Sequence, residues 1–343
     1  MGGAILQAAR QDWPPFVLVA GLLAIGTVVE ADGLFAAVGA RIERIGGSPL
    51  RLLAAVLALE AGVTALLNLD TAAVFVTPVV VHAARERRCD ERPFLYGALF
   101  VANGASILLP GSNLTNLIVL AHERLSGAAF ARAMALPWLV TVVLIVALVA
   151  VWYRPRAAAG ERSEAPPLRI GIGVAATVAA TALILVLPNP ALPVLAAGFV
   201  AVALRRLRPR IDLPVLAGLF VVAVALGTLG RHWHAPAHLL VQLGRWGTAG
   251  VGAGAAVVAN NLPAASLLAA QRPPHPLALL LGLDLGPNLA VTGSLAAYLW
   301  YRAARNAGAR PSLLQVSVLG VVLVPVTLAA ALAALSLTHS AGV

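Results

Sequence analysis

The sequence contains no lysine, a single cysteine (Cys89) and few aromatic side chains, and each shortage removes a class of function. Without lysine there is no Walker phosphate loop, so Gly46-Gly47 is not one and any nucleotide hydrolysis must come from another subunit. One cysteine, set in a charged segment, excludes an internal disulfide framework and a multi-cysteine metal site. Charged residues are also few: they form 11% of the chain, whereas soluble domains carry roughly a quarter. What remains is apolar, at 60% hydrophobic residues and a mean hydropathy of +0.90, which excludes a soluble enzyme and points to a chain that faces lipid or other buried helices. His232, His234 and His238 cluster beyond a helix end with no cysteine or carboxylate beside them, and read as a solvated loop rather than a metal site. No Ser-His-Asp or Cys-His arrangement stands out.

A spanning helix needs about 20 apolar residues. The stretches 14–30, 93–121, 133–153, 168–187, 191–204, 213–229, 276–301 and 312–338 qualify or come close, giving eight expected crossings. The first is no cleaved signal peptide, with Asp12 before it, Pro14-Pro15 at its start and no small-residue cleavage pattern after it. Leu34 to Ile45 spaces its apolar residues for a short interfacial helix. Two further apolar segments, 50–84 and 236–271, are broken near their middles by Asn68-Leu69-Asp70 and by Asn260-Asn261-Leu262-Pro263, and are read as re-entrant hairpins.

The arginines test this arrangement, because cytoplasmic loops collect them. If both hairpins return to the side they entered, 18 of the 24 arginines fall on one face, in groups around 41–51, 85–92, 154–169, 205–210 and 302–310. The other face keeps Arg10, Arg124, Arg132, Arg231, Arg245 and Arg272. The basic face is then cytoplasmic, both termini lie opposite it, and the net charge of +10 is a topology signal rather than a nucleic-acid site. Such a chain is expected in the inner (plasma) membrane of the cell as a multi-pass protein.

The polar linker at 154–167 divides the chain into two halves of similar plan, 1–153 and 168–343. Each runs through crossing helices, a hairpin (50–84; 236–271), an interrupted helix (93–121; 276–301) and a last helix, with the hairpins opening to opposite sides. The expected fold class is an all-α polytopic membrane protein, an inverted-repeat secondary transporter with two re-entrant hairpins and two interrupted helices. In such folds substrate and coupling ion bind near the midplane, where broken helices expose their termini.

The stretches NLDTAAVFVTPVVV (68–81), NGASILLPGSNLTNLIVLA (103–121), ANNLPAASLLA (259–269) and LGLDLGPNLAVTGSLAAYLWYR (281–302) resemble the arsenite permeases, membrane subunits of arsenical efflux pumps within the ion transporter superfamily. DLGPN and TGSLAxxLW carry most of the resemblance; the hairpin-tip pieces are shared across the superfamily. It implies a scaffold plus a transport domain of hairpins and broken helices that exports As(OH)3 or Sb(OH)3 in exchange for protons. Family members usually begin with about two further helices, so the first repeat is expected to be short at its N-terminus. Glu60 sits where the family has an apolar or small residue.

Asp70 is the candidate coupling residue, since a carboxylate at a hairpin tip within the membrane marks ion or proton pathways; the bland alternative is a cap on the second arm. Asp284 follows the same reasoning or simply braces its broken helix. Asn68, Thr71, Asn103, Ser106, Gly111, Ser112, Asn113, Asn116, Asn260, Asn261, Asn288, Thr292, Gly293 and Ser294 form the expected substrate-binding set, an uncharged lining suited to a neutral hydroxide. Their bland alternative is helix-to-helix glue. No cofactor and no metal are expected; the partners are lipid and a small inorganic substrate with protons or sodium, with a soluble ATPase subunit and a homodimer left open and nucleic acid excluded. Rivals are a sodium/proton antiporter or a dicarboxylate or anion carrier of the same superfamily and, from another class, a membrane enzyme acting on lipid-linked phosphate, which would cluster His, Arg or Asp at one interface.

Overall fold

The computed structural model describes residues 2–44, 48–121, 123, 125–155 and 171–340. Most of the 154–167 linker, and Arg124, Arg156, Arg162 and Arg169, lie outside the described residues. Sixteen α-helices follow one another with no strand among the described residues. The first half holds α1 (Gly2–Ala31), α2 (Leu34–Arg44), α3 (Pro49–Leu66), α4 (Leu69–Glu86), α5 (Glu91–Ala105), α6 (Leu114–Leu120) and α7 (Gly127–Tyr153). The second holds α8 (Ile172–Val186), α9 (Ala191–Leu204), α10 (Leu213–His232), α11 (Ala235–Gln242), α12 (Arg245–Ala259), α13 (Asn261–Leu268), α14 (Pro276–Leu285), α15 (Leu295–Asn306) and α16 (Leu313–Ser340).

Among the described residues, five helices are long and apolar enough to cross a membrane one by one: α1, α3, α7, α10 and α16. The eight expected crossings therefore need restating. Helices α8 and α9, of 15 and 14 residues, rise only about 21–23 Å at 1.5 Å per residue, short of a hydrocarbon core of about 30 Å. The stretches 93–121 and 276–301 cross only as composite, interrupted helices. Helix α1 starts at Gly2, with Pro14 and Pro15 inside it rather than at its head. The second hairpin starts at Arg245, because residues 235–242 form the separate helix α11 and Gly244 breaks the chain before α12.

The hairpins arise where asparagine supplies what a helix start lacks. The first amides of a helix have no intrahelical partner. Asn68 Oδ1 accepts from the Thr71 amide at 2.6 Å at the head of α4, and Asn260 Oδ1 from the Leu262 amide at 3.3 Å at the head of α13. The same device restarts the interrupted helices, with Asn113 on the Thr115 amide at 3.2 Å and Ser294 on the Ala297 amide at 3.2 Å. Between the pieces, short 3-10 turns at Pro110–Ser112, Gly286–Leu289 and Val291–Gly293 keep the backbone bonded.

Packing crosses the two halves. Helix α4 lies along α15, α6 against α13, α7 along α16, and α1 along α9 and α10. Trp300 donates to the Leu95 carbonyl at 2.9 Å, and the Ser312 amide to the Tyr96 hydroxyl at 2.8 Å, fixing the α15–α16 corner on α5. Helix α2 is not merely surface-bound: Phe35 stacks on Phe75 of α4 with ring centres 5.9 Å apart.

Loop contacts sort with the arginine partition. Asp32 pairs with Arg205 at 2.6 Å and accepts from the Gly173 amide at 2.8 Å, Glu30 pairs with Arg210, and Arg85 reaches Glu91 at 3.0 Å and the Ala307 carbonyl at 2.7 Å. At the other ends of these helices, Gln11 donates to the Ile118 and Ala269 carbonyls at 3.2 Å each, Arg231 donates to Gln11, and Arg272 pairs with Glu123 at 2.8 Å. No described contact among these joins one group to the other.

Candidate substrate site

Both hairpin tips and both restarted helices meet at one small cavity, lined by Leu69, Asp70, Asn113, Asn260, Asn261 and Ser294 together with flanking apolar residues. Its volume is about 20 Å³, room for a single water molecule. No arginine or histidine lines it. Three helices of eight residues or more begin here, α4, α13 and α15, so three sets of first-turn amides and three positive dipole ends face one point. The shorter α6 begins beside them.

Asp70 stands in the first turn of α4 and is the only ionisable side chain lining the cavity. It is 6% exposed, and no described side chain donates a hydrogen bond to it. Asp284 is placed differently. It is fully buried, its Oδ1 accepts from Asn113 Nδ2 at 2.8 Å, its Oδ2 has no partner, and it does not line the cavity.

Around the cavity runs a network that ties the two interrupted helices together. Asn103 Nδ2 donates to Asn288 Oδ1 at 2.8 Å, Ser294 Oγ donates to Asn103 Oδ1 at 3.3 Å, and Asn288 Nδ2 donates to the Phe100 carbonyl at 3.3 Å. Ser106 Oγ donates to the Asn103 carbonyl at 2.7 Å, and Asn116 Nδ2 reaches the Ser106 and Leu109 carbonyls at 2.8 and 3.1 Å. Ser112 Oγ donates to the Ala65 carbonyl at 2.9 Å, fastening the first break to the end of α3. Apart from Ser294, which also lines the cavity, these residues turn their side chains to protein partners, with Asn116 Oδ1 left unpartnered, which makes them the frame of the site rather than its lining.

The sequence set thus separates into groups. Asp70, Asn113, Asn260, Asn261 and Ser294 line the cavity. Asn68 and Thr71 build the tip beneath it, and Asn103, Ser106, Ser112, Asn116, Asn288 and Asp284 frame it. Three residues stand apart. The Thr292 side chain is exposed, and only its carbonyl joins, accepting from Asn260 Nδ2 at 3.1 Å. A side chain at Gly293 would lie 2.6 Å from Pro287 Cα, and one at Gly111 2.7 Å from Ile184 Cδ1, so both glycines permit close packing and contribute nothing to the lining. Asn260 holds φ at 72°, an uncommon conformation for a residue with a side chain. Sequence reading missed Leu219 of α10, which walls the cavity from a helix with no break to mark it.

Hairpins and interrupted helices that meet tip to tip around a buried polar point, in an all-helical polytopic chain, are the architecture of a secondary transporter. The chain belongs to the family described as "Citrate transporter", whose model matches residues 3–286. The match reaches the superfamily expected from the arsenite permease resemblance without singling out arsenite permeases. A search of curated proteins finds no match.

Proposed function

We propose that this protein is a proton-coupled carrier of small carboxylate anions of the citrate class, seated in the inner plasma membrane with its arginine-rich loops in the cytoplasm. The observation that carries this reading is the meeting of three helix starts and Asp70 at one cavity free of basic side chains. Helix starts bind anions through free amides and dipole ends, so a carboxylate needs no arginine here. An ionised Asp70 occupies that positive field itself and repels a second carboxylate. Protonation of Asp70 frees the field for substrate, so anion and proton enter together. The present cavity admits one water, so citrate requires the hairpin tips to part, which is the alternating-access movement of the two repeats, 1–153 and 168–343, against each other.

The neutral Asn and Ser lining supports a second reading, export of arsenite and antimonite by proton exchange, because a neutral trihydroxide needs only matched hydrogen bonds. Purified protein in liposomes separates the two. With an inward proton gradient, labelled citrate is expected to accumulate and to leak out when a protonophore is added. If citrate stays outside while arsenite moves against an opposing proton flux, the second reading replaces the first; if only sodium and protons exchange, both fall.

A further inference from the structure

Glu60 lies on α3, well away from the cavity residues, and the transport scheme above does not use it. It is 0% exposed, and neither carboxyl oxygen has a hydrogen-bond partner. The ionisable side chains described on the elements packed against α3 are Arg41 on α2; Asp70, His82, Arg85 and Glu86 on α4; Glu91, Arg92 and Tyr96 on α5; and Arg132 and Tyr153 on α7. None of them donates a hydrogen bond to Glu60. A bare carboxylate in such a place costs many kcal/mol, whereas the neutral acid costs far less, so Glu60 rests protonated.

A protonated acid without a partner is itself unfavourable, and a leucine of similar size would fill the space without that cost. The surroundings of Glu60 show what the acid is near. Thr64 stands one turn further along the same face of α3, fully buried, with its hydroxyl unpartnered. The next turn is the hairpin tip, where Asn68 Nδ2 and the Thr71 hydroxyl also lack partners and are fully buried. At about 6 Å per four helical residues, this row runs from Glu60 to the tip beside Asp70 in about 12 Å. Buried polar atoms are nearly always paired, so a file of unpaired ones ending at a carboxyl is a file of groups that water would satisfy once space opens beside them.

We propose that Glu60 is a second proton-binding group of the transport cycle, exchanging its proton with the hairpin tip along Thr64 and Asn68. When the tips part, water enters and is held by the Thr64 hydroxyl and the Asn68 amide. With the file open to one side, the Glu60 O–H bond breaks and its proton passes to that water; with the file open to the other side, the carboxylate left behind takes up a proton from it. Nothing but a proton is transferred. The proposal rests on the proton-coupled reading, and its consequence is that more than one proton accompanies each substrate.

Two readouts test it on the full chain in lipid. In infrared spectra of the protein without substrate, the wild type is expected to show a protonated-carboxyl C=O band that weakens as the pH is raised, and Glu60→Gln to lose that component. In liposomes, Glu60→Gln is expected to retain citrate counterflow in the absence of a gradient but to accumulate less citrate under a gradient, at a lower proton-to-citrate ratio, with Glu60→Asp restoring both. Gradient-driven citrate accumulation and proton-to-citrate ratio unchanged in Glu60→Gln overturn the proposal. If the wild type carries no citrate at all, the functional reading has failed and the infrared readout decides alone: a pH-insensitive band, or one that survives Glu60→Gln, makes Glu60 a buried structural acid. Should Glu60→Gln not fold, the same pH-insensitive band in the wild type overturns the proposal.

Discussion

The two hairpins occupy equivalent places and carry different chemistry. Both tips start their second arm from an asparagine cap, Asn68 and Asn260. Two residues on, the first tip has Asp70 and the second has Leu262; the first arm of one carries Glu60 and Thr64 near the tip, while the first arm of the other, beyond Arg245, Trp246 and Thr248 at its far end, is a run of glycine, alanine and valine with no carboxyl. Asn68 reaches its cap from extended backbone, whereas Asn260 does so with φ at 72°. On the proposed function, the difference teaches that the halves divide the work: the first hairpin bears the carboxyl groups, and the second gives a neutral wall with a close-packed α12 behind it.

Breaking the frame that holds the hairpins in register has the largest expected effect on stability. Asn103→Ala strands Asn288 Oδ1 and leaves the Ser294 hydroxyl without its acceptor, both in a buried site, and is expected to cost about 3 kcal/mol, read as a fall in the melting midpoint in detergent. Next come the caps. Asn260→Ala removes the cap and leaves a Cβ at positive φ, for about 2 kcal/mol, whereas Asn68→Ala, in extended backbone, loses only about 1 kcal/mol. Asn260→Gly relieves the backbone and is expected to leave stability within about 0.5 kcal/mol of the wild type while still weakening transport, because Asn260 lines the cavity. An inverted order between the two alanine variants would break the distinction drawn between the tips.

Smaller again is Asp284→Asn, which keeps an oxygen for Asn113 Nδ2 and is expected to shift stability by less than about 1 kcal/mol. The smallest effect belongs to the loop before α5. The Arg92 guanidinium hydrogen-bonds both Asp90 oxygens, and that hydrogen bond, ahead of the partial burial that opposes it, holds the Asp90 carboxyl below its usual value. A depressed carboxyl stabilises the fold above the unfolded-state value and loses that contribution as pH falls through the folded one. Both side chains are more than a third exposed, so solvent screening limits it to about 0.5 kcal/mol, and Asp90→Asn is expected to remove only a shallow acid-side slope from the pH–stability curve.

Much of this architecture was legible because membrane helices punctuate themselves. Asparagine, glycine and proline inside apolar runs marked both hairpins and both interrupted helices, and the arginines sorted the loops. The start of the second hairpin was not legible: residues 236–243 are as apolar as α12 itself, and only Gly244 separates α11 from α12. The site was legible as a set of residues at breaks but not as lining against frame. That division depends on partners such as Asn288, 185 positions from Asn103, which no local pattern reports. The convergence of helix starts was equally hidden, since each break announces its own helix and not the direction in which it points. For the same reason the missing arginine, taken from the sequence alone, weighs against an anion.

The central claim is that Asp70, at the cavity itself, makes substrate entry conditional on a proton. Its most direct test compares labelled citrate uptake by wild-type and Asp70→Asn protein in liposomes, with and without an inward proton gradient. The account predicts that Asp70→Asn, permanently neutral but similar in shape, exchanges citrate across the membrane at a rate independent of pH and accumulates none under the gradient. Gradient-driven accumulation by Asp70→Asn equal to that of the wild type would contradict it and leave Asp70 a structural residue of a tip that Asn68 already caps.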